Sequence, residues 1–478
     1  MHMRRAASRR STAVAMRAKV ATPVRRDTPC GTTPRTPPRV GVTALGSTPR
    51  GRRHRPRPIS CRDSLVAPSQ LTRAIRERNY AIFAAGFACS GFGLQMLTTV
   101  ILWDLWLRTH DALVLGMAGL ARALPVVALA LVSGHVADRH SRKHIIMLTQ
   151  FAFVVVCGAF ALASAVAAPI WVWYALLVAS GCVRSFNGPS RSSLLPLLVR
   201  PENFENAVTW NSGIFQAAAV LGPITAGALM GFGMPSWQIF LICGALIGVM
   251  GLLAMKLQPR EEPRGNVTLT MRSMFAGMSH IYRERTILAT LTLDLLGVLL
   301  GGATALLPIY ADEILGGGPV LLGWLKAAPY IGAFLMAVWI AARPRMRYAG
   351  PALLASVAVF GACMIVFGLS TSIWVSMLVL FISGAVDNVS VIIRHTLVQT
   401  RTPNELRGRV SAVNSLFIEC SNELGAFESG LVARFFGPVF SVVSGGIGTL
   451  LVVGAVTGLF PELRRLRTMS GKEPDPQS

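Results

Sequence analysis

The chain has 478 residues, of which 52% are hydrophobic and 14% charged, with a mean hydropathy of +0.53 and a formal charge of +24. A soluble globular domain carries about 25% charged residues, so a soluble enzyme is excluded as a class. The basic residues lie between long apolar runs and not in one patch, which argues against nucleic acid as a partner.

Residues 1–70 come first, with fifteen Arg and Lys19 against only Asp27 and Asp63. A stretch this rich in Arg, Pro, Thr and Ser cannot bury a core, and disorder is expected. It reads either as an Arg-rich, acid-poor leader of the transit-peptide type or as sequence upstream of the true start. The chain's five Lys against 41 Arg suit a GC-rich coding region, in which upstream frames stay open. The upstream reading, or a plain disordered tail, is preferred to targeting.

Twelve apolar segments follow, at 80–107, 112–134, 145–167, 170–190, 207–231, 237–256, 286–310, 319–341, 351–369, 373–393, 410–433 and 439–460. Runs of about 20 residues are what a helix needs to cross a hydrocarbon core of about 30 Å. The alternating ten-residue segments of a strand barrel do not occur. The expected fold is all-α and membrane-embedded. A six-helix bundle over 71–256 is joined by a linker, 257–285, to a second bundle over 286–461, with a tail at 462–478.

The loops sort the basic residues. With the chain entering from the cytoplasm, the inside loops hold Arg139, Arg142, Lys143, Arg191, Arg200, Lys256, Arg260, Arg264, Arg272, Arg283, Arg285, Arg343, Arg345, Arg347, Arg394, Arg401, Arg407 and Arg409, and the outside loops only Arg108 and Arg434. This is the positive-inside pattern, and it predicts that both termini are cytoplasmic. The halves are also related. A shift of 203 residues lays Ser180-Gly181 on Ser383-Gly384, Val183 on Val386, Arg191 on Arg394, Leu194 on Leu397, Asn211-Ser212 on Asn414-Ser415, Leu221-Gly222 on Leu424-Gly425 and Gly227 on Gly430. Parallel repeats about an axis along the membrane normal mark a transporter of two bundles, with its substrate site between them near the midplane.

Between the second and third spans, Gly134-His-Val-Ala-Asp138-Arg139-His-Ser-Arg142-Lys143 resembles the loop signature of the major facilitator superfamily, G-x-x-x-D-R-x-G-R-R/K, with Ser141 at the usual second Gly. The resemblance implies that Asp138 helps to lock the cytoplasmic gate against the start of the eleventh span near Arg407. An acid suits the positive end of a helix, while the basic cluster holds the loop inside. Three further strings look like the enterobactin-exporter-like, drug:proton antiporter-type efflux branch. They are Gly119-Leu-Ala-Arg122-Ala-Leu-Pro125, Arg184-x-Phe186-x-x-Pro189-x-Arg191, and Arg407-Gly-Arg409-Val-x-Ala-x-Asn414-Ser415 running on to Asn422-Glu423-Leu-Gly425-x-Phe427-Glu428-Ser-Gly430. Gly222-Pro223 with Gly227 resembles part of the antiporter motif, where small residues let helices approach and proline allows flexing; simple packing explains these residues equally well.

Ionisable residues within spans are costly unless paired or wetted, so each is a functional candidate. They are Asp104, Arg122, Arg184, Asp294, Lys326, Asp387, Glu419, Glu423 and Glu428. Glu419 and Glu423 share one helix face, which suits proton exchange, and Asp294 is a second proton-carrier candidate. For each acid a structural ion pair is the competing reading. Arg184 and Asp387 are equivalent under the 203-residue shift and are expected to close the inner gate as a pair. Asp104 reads as interfacial.

No G-x-x-x-x-G-K-[ST], H-E-x-x-H or G-x-S-x-G motif and no Cys/His group at zinc spacing is present. An enzyme, an ATP-driven pump and a cofactor are therefore not expected. The expected function is export of a small amphipathic molecule, siderophore-like or drug-like, across the cytoplasmic (inner) membrane of a bacterium, by a monomer using protons as coupling ion. Arg122, Arg184, Lys326 and Asp294 line or gate the route in this reading. An importer or uncoupled facilitator on the same fold, or a membrane sensor, is the alternative.

Overall fold

The computed structural model describes residues 73–260, 278–342 and 348–466. The extension 1–70, the middle of the linker 257–285 and residues 467–478 lie outside the described residues. The described part belongs to one compact unit.

Among the described residues there are twelve long helices and no strand. The first six are α1 (Arg78–Thr109), α2 (Ala112–Arg139), α3 (Arg142–Ala165), α4 (Ile170–Leu198), α5 (Phe204–Gly231) and α6 (Ser236–Met255). The second six are α7 (Arg285–Gly301), α8 (Gly318–Ala341), α9 (Ala349–Leu369), α10 (Ile373–Arg401), α11 (Asn404–Phe436) and α12 (Pro438–Leu459). Ten are long and apolar enough to cross a membrane, α7 being counted together with the short segments that continue it to Ile314. The two that fall short, α4 and α11, carry Arg184 and Arg191, and Glu419, Glu423 and Glu428.

Lipid-facing stripes follow the helical period. On α3, Leu148, Val155 and Leu162 recur every seven residues and are 70%, 72% and 64% exposed, a face suited to acyl chains. The opposite face buries Phe153, Cys157 and Phe160. Phe160 packs with Trp173 of α4 and Phe240 of α6, ring centroids 5.6 Å away in each case.

Helix ends depart from the apolar segments in a consistent way. At the end that carries the basic residues, α2, α4 and α10 run five to eight residues beyond the segments read from hydropathy, to Arg139, Leu198 and Arg401, and α11 begins six residues earlier. Polar and charged residues continue these helices because main-chain hydrogen bonding does not require apolar side chains. Arg191 and Arg394, assigned above to loops, therefore stand on helices, and Arg394 is buried. The seventh span is not one continuous helix. After Gly301 the chain turns through a 3-10 segment, Ala303–Leu306, a short turn, Leu307–Ile309, and a π segment, Tyr310–Ile314.

The packing repeats itself. In the first half α1 meets α5 and α6, α3 meets α4 and α6, and α2 meets α4; each pairing recurs in the second half with six added to both numbers. Between the halves the main contacts are α2 with α11 and α5 with α8. Adding six to one of these pairs generates the other, as a twofold relation between the bundles requires.

Candidate functional site

The halves meet through glycines. A Cβ on Gly116 of α2 would sit 3.1 Å from the Gly430 Cα of α11, and one on Gly227 of α5 would sit 3.1 Å from the Gly323 Cα of α8. Glycine allows such close helix approach. Polar contacts bridge the halves at the same end. Arg434 of α11 pairs with Asp111, which also caps α2 by accepting from the Leu113 N–H at 2.9 Å. The Trp106 indole donates to Asp312 at 2.9 Å. Toward the other end, Gly188, Gly213 and Gly408 would meet no atom within 4 Å if given a Cβ. The halves are thus closely apposed at one end, with open space around α4, α5 and α11 at the other.

Charged side chains gather between these ends. Arg122 of α2 reaches Glu423 of α11 at 2.8 Å, and Arg184 of α4 reaches Glu419, one turn earlier on α11, at 2.9 Å. Both acids thus face arginines of the opposite half. Arg184, expected on Asp387, is paired with Glu419. Asp387 of α10 is half-buried and makes no ion pair among the described residues; it lines a small cleft with Asp294, Ser356, Phe360 and Ser390. Tyr330 of α8 meets Gln95 of α1 across the halves and lies within electrostatic reach of Asp387, Arg184 and Arg122. Lys326, one turn before Tyr330, is half-buried and close enough to Arg122 to feel its charge.

Asp294 has a different setting. It is paired with Arg394 of α10, the two side chains being 9% and 3% exposed, within the second half alone. In the first half the equivalent arginine, Arg191, lies over the Phe87 ring of α1 at 4.6 Å from its centroid. The repeat has kept the cation, but helix one offers a π face and helix seven a carboxylate. Asp104, read above as interfacial, is buried at 7% exposure, accepts from Arg108 at 3.0 Å and receives the Ser164 hydroxyl at 3.2 Å.

The Gly134–Lys143 string is mainly helical. Gly134 is buried in α2, Arg139 is the last helical residue, and only His140 and Ser141 separate α2 from α3. Asp138 stands on the last turn of α2, its side chain outside the described set. Lys143 donates to the Met255 and Leu257 carbonyls at 2.8 Å, and Arg142 to the Ser193 carbonyl at 3.0 Å. Lys143 satisfies acceptors at the end of α6, where helices leave carbonyls unpaired and favour positive charge, and Arg142 adds a donor to the C-terminal part of α4. Arg407 is exposed on the second turn of α11. Gly222 brings α5 onto α1, where a Cβ would lie 2.6 Å from the Gln95 Cβ, and Pro223 beside it is buried.

One relation was missed in reading the sequence. Gly119-x-x-Arg122-Ala-x-Pro125 on α2 recurs as Gly323-x-x-Lys326-Ala-x-Pro329 on α8, at a shift of 204. The 203-residue comparison covers only the fourth and fifth spans of each half and steps over this match by one residue. The packing is offset from it by one turn: Gly181 of α4 lies against the Arg122 carbonyl, but its equivalent Gly384 of α10 lies against the carbonyl of Pro329, the counterpart of Pro125.

The model of the Major Facilitator Superfamily matches residues 83–426. The chain is 26% identical over 403 residues to the enterobactin exporter EntS of Shigella boydii serotype 4 (strain Sb227), covering 81% of this chain and 92% of that one. It is 26% identical over 408 residues to the EntS of Citrobacter koseri, with the same coverage. Among solved structures, a bacterial homolog of the human lysosomal transporter Spinster, inward-facing and occupied, superposes with a TM-score of 0.65 at 15% identity, over 82% of this chain and 99% of that one. A D-xylose-proton symporter gives 0.62 at 15% identity, over 80% and 98%. At such identities the structures speak for the fold alone. With the family model matched over most of its length and the two bundles related as described, the chain belongs to the major facilitator superfamily of membrane transporters.

Proposed function

We propose that this chain is a secondary active transporter that exports a small amphipathic molecule, siderophore-like or drug-like, across the bacterial cytoplasmic membrane in exchange for protons. It works as a monomer with both termini in the cytoplasm. The observation that carries the reading is the pair of acids on α11, Glu419 and Glu423, each holding an arginine of the opposite half. A carboxylate that gains a proton loses its charge and releases its arginine, so proton binding loosens the link between the halves. Re-forming the pair expels the proton. Charge neutralisation is thereby tied to the relative position of the bundles, as alternating access requires.

The likeness to enterobactin exporters over 81% of the chain supports the export direction and a siderophore-like cargo. The basic residues concentrated at the end of α2, α4, α6 and α10 support its placement in the cytoplasm.

Everted membrane vesicles energised to an acidic interior test this. Uptake of a siderophore or an efflux dye should require the gradient, collapse with a protonophore and disappear in the E419Q/E423Q double variant while the protein remains in the membrane. Accumulation in intact cells with no uptake into everted vesicles would make the chain an importer. Uptake indifferent to protonophore would make it a facilitator.

A further inference from the structure

We propose that Lys326 selects the cargo by charge, and that the transported molecule carries an anionic oxygen group, which Lys326 binds between the two halves. This rests on the export reading and adds to it the chemical class of the cargo.

Arg122 and Lys326 occupy the same position of the same seven-residue string on α2 and α8, but the helix contacts are offset by one turn. Gly323 meets Pro223 and Ile224 as Gly116 meets their counterparts Ala426 and Phe427, so Lys326 stands where Gly119 stands in the first half. The fates of the two charges differ. Arg122 is neutralised by Glu423 at 2.8 Å. A Cβ on Gly119 would lie 2.5 Å from the Glu423 carboxylate, and the 203-residue shift places Val220 of α5 at the Glu423 position and Gln216 at the Glu419 position. The carboxylate that would answer Lys326 is therefore replaced by an apolar side chain and a neutral amide.

Among the described residues Lys326 has no carboxylate partner, and the charge that acts on it is that of Arg122. An ammonium held in a membrane protein without a counter-charge is expensive. Such a group persists where a ligand supplies the missing charge. Lys326 has what such a site needs around it. It is half-buried, so part of it remains reachable. Tyr330, one turn on, already meets Gln95 of the opposite half, giving a polar lining. The Nε of Arg122 is buried with no hydrogen-bond partner, a second donor on the facing helix. The Tyr330 ring, four residues on, shares the Lys326 face of α8 and adds an aromatic surface. A cation, a spare guanidinium donor and the Tyr330 ring together fit an amphipathic anion better than a neutral or cationic drug.

The test uses the full-length protein in proteoliposomes under an imposed proton gradient, with three versions of one amphipathic fluorescent dye: a carboxylate, its neutral hydroxyethyl amide and a trimethylammonium derivative. The wild type should favour the carboxylate. In K326Q the ratio of carboxylate to amide transport should fall about tenfold or more, the effect of losing one charge-assisted hydrogen bond, while K326R should keep most of it. V220E, which restores the missing carboxylate opposite Lys326, should lower the same ratio with Lys326 intact. Quenching of the carboxylate dye on the detergent-purified proteins gives a binding readout that does not depend on turnover. An unchanged ratio in both K326Q and V220E, with the wild type active, overturns the role of Lys326 and leaves the export reading standing. A wild type that moves none of the three dyes overturns both.

Discussion

Arg394 of α10 and Asp294 of α7 form an ion pair inside the second half, neither side chain more than 9% exposed. Buried pairs of this kind stabilise little in sum, because desolvation offsets most of the attraction, yet removing one partner strands a charge and costs about 3–5 kcal/mol. D294N and R394Q should each lower the thermal unfolding temperature of the detergent-purified protein markedly, and the apolar double variant D294L/R394M should recover much of the loss. If D294N instead leaves stability untouched and abolishes only proton-driven transport, Asp294 carries the coupling proton and Arg394 is incidental.

A charge-reversal series separates the two candidate partners of Arg184. The present geometry sets it on Glu419 at 2.9 Å, with Asp387 of α10 making no ion pair among the described residues. R184E should abolish transport, E419R added to it should restore part, and D387R should not. Rescue by D387R alone would move the functional partner to α10.

Gly430 of α11 lies so close to α2 that a Cβ would stand 2.7 Å from the Ala112 carbonyl and 2.8 Å from the Gly116 Cα. G430L should hold this end apart. A maleimide that cannot cross membranes should then label A426C, a buried position beside the crossing, faster than it does in the Gly430 protein, and transport should stop while expression continues. Unchanged labelling would mean that the crossing tolerates bulk.

Lys143 donates to two carbonyls at the end of α6, both at 2.8 Å. K143A should cost about 1 kcal/mol, in the range of a helix-terminal cation and its hydrogen bonds, with K143R nearer the parent by the same unfolding measurement. A K143A protein as stable as the parent would return this residue to a purely topogenic role.

Gly437 joins α11 to α12 at φ 91° and ψ 157°. That region is essentially reserved for glycine, and other residues pay about 1–3 kcal/mol there. G437A should be destabilised by this amount, read as a lower unfolding temperature; an unchanged value would show that the turn relaxes to a common conformation.

The architecture was legible because lipid imposes a simple code: apolar runs, loop charges and the 203-residue repeat anticipate the helices observed. The α11 acids were legible too, since their spacing of four places them on one face whatever lies opposite. Their arginine partners were not, because Arg122 and Glu423 are 301 residues apart and no local rule links them. Arg394 was assigned to a loop because hydropathy ends a span at the first charge, whereas the helix continues and the charge is answered by Asp294. The break after Gly301 was hidden for the converse reason: the residues that follow are as apolar as those of a continuous helix.

The glycine crossings carry no side chain that must change rotamer as the halves part, so steric interlocking adds little to the barrier at that end. Resistance falls instead to the Arg434–Asp111 pair, whose side chains are 47% and 25% exposed, and to the Trp106–Asp312 hydrogen bond. Exposed charges are screened within about 8–10 Å at physiological ionic strength. The frequency with which this end opens therefore depends on the salt of the compartment it faces, and transport rates measured in dilute buffer and in saline should differ even at equal driving gradient.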